Sequence, residues 1–173
     1  MRIDRRTFIG YMPAAMVPLL SAGLTQKETR SMAADFRLSD IDGKFVALSD
    51  FRDDIAVLDF WASWCEPCIA QIPILNAVHE KYRNRGVHVV GVVVESGSVK
   101  DIRRFLRKHQ MNYPVLIGND DVVNKYKVRV FPTTFVINPQ RHIQNAYIGE
   151  RSTKEQNVER DIQALIAAWG KEE

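Results

Sequence analysis

Cys65 and Cys68 are the only cysteines in the chain, and two residues separate them in Trp64-Cys65-Glu66-Pro67-Cys68. Thiols at that spacing fit within one helical turn, so they can close to a disulfide and open again; the chemistry they offer is thiol–disulfide exchange. If the pair opens a helix, the unpaired N–H groups and the positive dipole end favour a thiolate there. Cys65, at the helix start, is then expected to attack, and Cys68, further in, to resolve the mixed disulfide. A framework of structural disulfides would need more cysteines, spread along the chain. A closed zinc site takes four ligands, and His79, His88, His109 and His142 include no closely spaced pair to supply two. Such a site would have to be assembled by folding, and neither a metal nor a cofactor is expected.

Asp59 lies six residues before Cys65, inside the otherwise apolar run Ile-Ala-Val-Leu-Asp-Phe-Trp at residues 55–61. Burial there would raise the pKa of its carboxyl, because desolvation disfavours the charged form. At a strand edge the same carboxylate would only reach solvent. The strand must be central to present the cysteine motif, so an acid–base role is the expectation.

The elements that position these residues follow from hydrophobic periodicity. Residues 36–48 read as a hairpin around Asp42-Gly43. Residues 55–61 and 87–94 are short β-branched and apolar runs, the mark of buried strands. From Cys65 to about residue 85 the pattern is helical, with Ile69, Ile72, Leu75 and Val78 on one side. Ile102, Phe105 and Leu106 mark another helix, and residues 122–126 a short one. Residues 133–137 and 142–148 form a second hairpin across Asn138-Pro139. The last helix opens with Ser152 and Glu155, spaced as a capping box, and its apolar face is Val158, Ile162, Leu165 and Trp169. Strands alternating with helices and ending in a hairpin predict an α/β fold with a mixed central sheet flanked by helices.

One domain suits a chain of 173 residues, and its composition, 46% hydrophobic and 26% charged, is ordinary for a globular protein. The first six residues, with Arg2, Arg5 and Arg6 against Asp4, supply two of the three formal positive charges, and the rest of the chain carries +1. No basic stripe interleaved with aromatics remains, so nucleic acid is not an expected partner. Residues 1–33 read as an export signal and polar tether, with residues 34–173 as the folded domain. Nothing is charged from Thr7 to Gln26, and Arg5-Arg6-Thr-Phe-Ile resembles a twin-arginine signal. Ser21-Ala22-Gly23 and Ser31-Met32-Ala33 both suit cleavage. A retained membrane anchor is the other reading, since the run approaches the ~20 residues of a spanning helix. Pro13, Pro18 and the small residues favour removal. Either way the domain is delivered outside the cytoplasm, to a periplasm or its equivalent.

The run Val57-Leu-Asp-Phe-Trp-Ala-Ser-Trp-Cys-Glu-Pro-Cys68 resembles the thioredoxin family, and its Glu-Pro dipeptide resembles the extracytoplasmic TlpA/ResA-like branch. So do residues 36–51 and Pro132-Thr-Thr-Phe-Val-Ile-Asn, and Pro73 matches the helix-kinking proline of the family. The resemblance covers residues 36–169. It implies a thioredoxin fold with an N-terminal β-hairpin extension. It also implies that Asp59 exchanges a proton with the resolving Cys68, although many relatives in that branch place asparagine here. Phe131-Pro132 resembles the cis-proline loop that faces the cysteine pair and offers backbone to an extended substrate. The family usually has smaller residues where Val130 and Phe131 stand. Trp64, Glu66, Pro67, Phe131 and Pro132 are thus the expected substrate contacts. Glu95 aligns with an acidic residue near the disulfide, or is a solvated glutamate at a strand end.

The function these readings predict is an extracytoplasmic thiol–disulfide oxidoreductase that reduces protein disulfides. Glu66 opposes a second negative charge between the sulfurs, which destabilises the thiolate and lowers the potential. The family resemblance implies a membrane thiol–electron carrier as donor, with cytochrome c maturation as one pathway. Two other classes compete. A thiol-dependent peroxidase would place its cysteine in a Pro-x-x-x-Thr-x-x-Cys setting, whereas Leu58-Asp-Phe-Trp-Ala-Ser-Trp precedes Cys65. A copper-binding chaperone on the same fold would space its cysteines more widely and add a histidine downstream.

Overall fold

The computed structural model describes residues 31–149 and 154–169. The export signal and Ser152, the expected cap of the last helix, lie outside the described residues. The apolar run that holds Asp59 forms β3 (Ile55–Trp61), and every one of its seven residues is buried. That is the expected state of a strand with helices on both faces of its sheet. β4 (Val87–Val93) lies parallel on one side of it and β6 (Thr133–Ile137) antiparallel on the other. β5 (Val115–Ile117) and β7 (Ile143–Ile148) complete a five-stranded mixed sheet in the order β5-β4-β3-β6-β7. The hairpin expected around Asp42-Gly43 is β1 (Arg37–Ser39) with β2 (Phe45–Ala47). Gly43 takes φ +84° in its turn, a conformation that favours glycine.

Alternate residues of β3 face opposite layers. Leu58 and Phe60 pack with Val90, Val92, Leu116, Tyr126 and Phe135 on one side. Val57 packs on the other with Leu75 and Val78 of α1 (Glu66–Tyr82) and Val158 and Ile162 of α4 (Lys154–Trp169). α2 (Val99–Lys108) opens on Ser98, whose hydroxyl accepts from Asp101 N–H while the Asp101 carboxylate accepts from Ser98 N–H. α3 (Asp120–Lys125) is the short helix expected near residue 122. The architecture is the thioredoxin arrangement that the cysteine motif implied.

Three details differ from expectation. Trp169 is 37% exposed, and Ile166 closes the α4 face in its place. β5 had no counterpart in the sequence reading. Residues 31–33, expected in the tether, belong to the folded unit. Ala33 N–H donates to the Arg141 carbonyl at 2.7 Å, and Ile143 N–H donates to the Ser31 carbonyl at 2.9 Å. Among the described residues, no helix is long and apolar enough to cross a membrane.

Candidate functional site

β3 ends at Trp61, and the chain turns through Ala62-Ser63-Trp64 into α1, with Cys65 as the N-cap at φ −90°, ψ 101°. Ser63 N–H donates to Ser96 Oγ at 2.8 Å, and the Ser96 hydroxyl donates to the Val94 carbonyl at 2.8 Å. That pair of bonds ties the loop before Cys65 to the loop after β4. Glu66 and Pro67 fill the first helical positions, where a missing proline N–H is no loss. Cys65 and Cys68 are joined as a disulfide with their Cα atoms 5.2 Å apart. Cys68 N–H points at Cys65 Sγ, 3.3 Å away. After reduction the same amide and the helix dipole favour a thiolate on Cys65 rather than on Cys68.

Both cysteines are largely buried. Cys65 is 6% exposed and Cys68 2%, and both pack with Trp61, Val93, Ile102 and Val115. Access to Cys65 runs through a cleft of about 840 Å³, bordered by Trp64, Glu66, Pro67, Glu95, Arg129 and Phe131. Trp64 projects over it, 61% exposed. Its ring sits edge-on to Phe131 at 5.9 Å between centroids. The Phe131–Pro132 peptide is cis, and the Thr133 hydroxyl donates to the Val130 carbonyl at 2.7 Å beside it. Pro132 itself is buried and Phe131 half-buried. The structure therefore gathers Trp64, Glu66, Pro67 and Phe131 around Cys65.

Glu95 borders the same cleft as Cys65. β4 ends at Val93, so Glu95 lies two residues past the strand, at φ 48° in the left-handed region. A side chain there costs roughly 1 kcal/mol of backbone strain. The contact it makes is through its backbone carbonyl, which accepts from Trp64 Nε1–H at 3.1 Å.

In the strand that leads to the disulfide, Asp59 is 1% exposed, with β4 paired on one side and β6 on the other. Its position rules out the strand-edge alternative. Its Oδ1 accepts two hydrogen bonds at 2.6 Å, from Gln71 Nε2 on α1 and from Thr134 Oγ1 on β6. The phenol of Tyr113 is pushed well above its ordinary pKa, first by burial and then by the negative charge of Asp59. Gly91 is the β4 register partner of Asp59. A Cβ there would lie 2.8 Å from Trp61 Nε1 and 3.3 Å from Tyr113 Cε2, so only glycine admits the two rings. Trp61 in turn stacks on Phe105 at 5.1 Å.

Sequence reasoning missed Gln71, Thr134 and Ser96. Gln71 carried one signal: a polar residue three positions after Cys68, on a helix face whose other buried members include Ile72 and Leu75. Among the described residues no group of three or more His, Cys, Asp or Glu is placed to hold a metal ion.

The AhpC/TSA family matches residues 29–146 of the chain. Thiol-disulfide oxidoreductase ResA of Bacillus subtilis is 33% identical over 129 residues, which is 74% of this chain and 72% of that one. ResA of Geobacillus kaustophilus is 32% identical over 136 residues, or 78% and 76%. A crystal structure from Chlorobium tepidum, of a protein assigned as the thiol:disulfide interchange protein DsbE, aligns with a TM-score of 0.74. It is 30% identical and covers 79% of this chain and 96% of its own. Relatives that share a third of their residues across most of both chains carry the same chemistry that the bonded pair performs here. The chain belongs to the AhpC/TSA family of the thioredoxin superfamily, and it is a thiol–disulfide oxidoreductase.

Proposed function

We propose that the enzyme works outside the cytoplasm as a reductant of protein disulfides. The observation that carries the direction is Glu66, exposed at the first position of α1 beside Cys65. A carboxylate there repels the thiolate that forms on reduction and so favours the disulfide, which lowers the potential. In the forward reaction the Cys65 thiolate attacks a client disulfide and releases one client sulfur. Asp59 then accepts the Cys68 proton as the Cys68 sulfur attacks Cys65 Sγ and displaces the second client sulfur. The client leaves as a dithiol, and the Cys65–Cys68 disulfide remains. A thiol carrier must then return two electrons; the family resemblance implies one in the membrane, with cytochrome c maturation as the pathway served.

Equilibration with glutathione, quenched in acid and read by mass, tests the direction. A potential well below that of the glutathione pool is expected, and one as high as the strong thiol oxidants would reverse the reading. Export rests on Arg5-Arg6 and the apolar run that follows. A Lys-Lys replacement at Arg5-Arg6 should stop export, because the twin-arginine route reads the pair rather than its charge. A peroxidase role lacks its cysteine setting, and the named relatives are disulfide oxidoreductases.

A further inference from the structure

Gln71 and Thr134 belong to different elements, yet both donate to the same oxygen of one buried carboxylate, Asp59 Oδ1, each at 2.6 Å. An oxygen that already accepts two hydrogen bonds is a poor place for a proton, because protonation would crowd a third hydrogen into the same space. Both donors also favour the ionised carboxylate, against the burial that disfavours it. Gln71 sits three residues after Cys68 on α1, so the sulfur and the amide share one face of the helix.

We infer that Gln71 is a positioning residue for Asp59: together with Thr134 it fixes the carboxylate through Oδ1 and holds it ionised, ready to take the proton of Cys68. The inference rests on Asp59 being the base of the resolving step. In that step the Cys68 thiol gives its proton to the Asp59 carboxylate and its sulfur bonds to Cys65 Sγ. The bond from Cys65 to the client breaks, and the client departs as a thiolate. The two electrons gained by the client disulfide over the full reaction are those lost by the Cys65–Cys68 dithiol. Gln71 from α1, Thr134 from β6, Gly91 from β4 and Tyr113 from the loop before β5 meet at Asp59. Of these Tyr113 is the further titratable one, and it stays neutral through the working range because burial and the Asp59 charge both push its phenol upward.

The test follows the 13C-carboxyl titration of Asp59 in the oxidised protein, alongside the pH dependence of resolving a mixed disulfide preformed on Cys65. Gln71→Met keeps the length and removes the donor, so the Asp59 midpoint and the midpoint of resolution should both rise by about one pH unit. Thr134→Val should act the same way and carries the test if the helix substitution unfolds the protein. Gln71→Glu sets a second carboxyl against the first, and the titration should split into two coupled steps. A midpoint that stays or falls in both Gln71→Met and Thr134→Val overturns the inference. Asp59→Asn probes the underlying reading separately, since resolution should then lose its titration. A wild-type profile in Asp59→Asn would show that Asp59 is not the base, while the carboxyl titration would still report on Gln71.

Discussion

Glu66 stands exposed between two sulfurs that are nearly out of water, and the balance at Cys65 is a contest of small terms. The helix dipole favours a thiolate there by ~0.3–1 kcal/mol when partly exposed. A carboxylate at 4 Å opposes it by ~1 kcal/mol in water and by more where water is scarce. The two nearly cancel, so Cys65 should lack the very low pKa of oxidising enzymes. Glu66→His removes the repulsion and should raise the potential by ~30 mV for each 1.4 kcal/mol of thiolate stabilisation. Glutathione equilibration of both proteins measures it, and an unchanged potential would discard the electrostatic argument. Roles of the two sulfurs can be separated directly. Cys68→Ser should accumulate mixed disulfides through Cys65 and Cys65→Ser should not, as trapping followed by mass mapping would show. Rapid alkylation of Cys68 alone in the reduced protein would contradict the assignment. At this scale the redox pair was legible, because two cysteines in a helix-opening motif admit few readings. The hydrogen-bonded shell of Asp59 was not, because Gln71 and Thr134 meet it only when α1 and β6 fold onto β3.

Among the elements, β3 carries the site and its neighbours are shaped to it. Gly91 on β4 is flat where Trp61 and Tyr113 press against the sheet. Gly91→Ala should therefore cost ~1–3 kcal/mol by overpacking and shift Trp61 off Phe105. Urea unfolding would show the loss of stability and near-ultraviolet circular dichroism the displaced indole; wild-type values in both would mean the ring has room. The long periodic elements were visible in sequence because a buried strand or amphipathic helix repeats its signal over many residues. β5 was not, since three residues after Tyr113-Pro114 show no period and gain their strand character from pairing with Gly91, Val92 and Val93. Trp169 misled for a related reason: helical spacing marks a face, but at the end of α4 that face is only partly covered, and the indole is 37% exposed.

Over the whole molecule, three tyrosines seal the packed layers. Tyr126 is pushed up by burial and then by the nearby Asp35. Tyr147 is raised by burial and by donating its hydrogen bond to Asp161 at 2.5 Å, and Tyr113 by burial and Asp59. A phenol whose pKa is raised by folding ionises first in the unfolded chain. The stability it lends is whole below the unfolded value of about 10 and is lost as the pH rises beyond it. The urea midpoint should thus hold steady up to about pH 10 and fall above it, less steeply in Tyr126→Phe. A midpoint flat to pH 11 in the wild type would refute this. The bridge at residues 31–33 has a different kind of consequence. It is made to Arg141 and Ile143, beside the turn after β6, where β6 runs alongside the start of β3. The disulfide lies past the other end of β3. The folded enzyme is therefore bipolar, with its incoming chain moored at one pole and its reactive sulfurs at the other. If that mooring line is fastened to a surface, the cleft over Cys65 opens away from it, towards whatever drifts past.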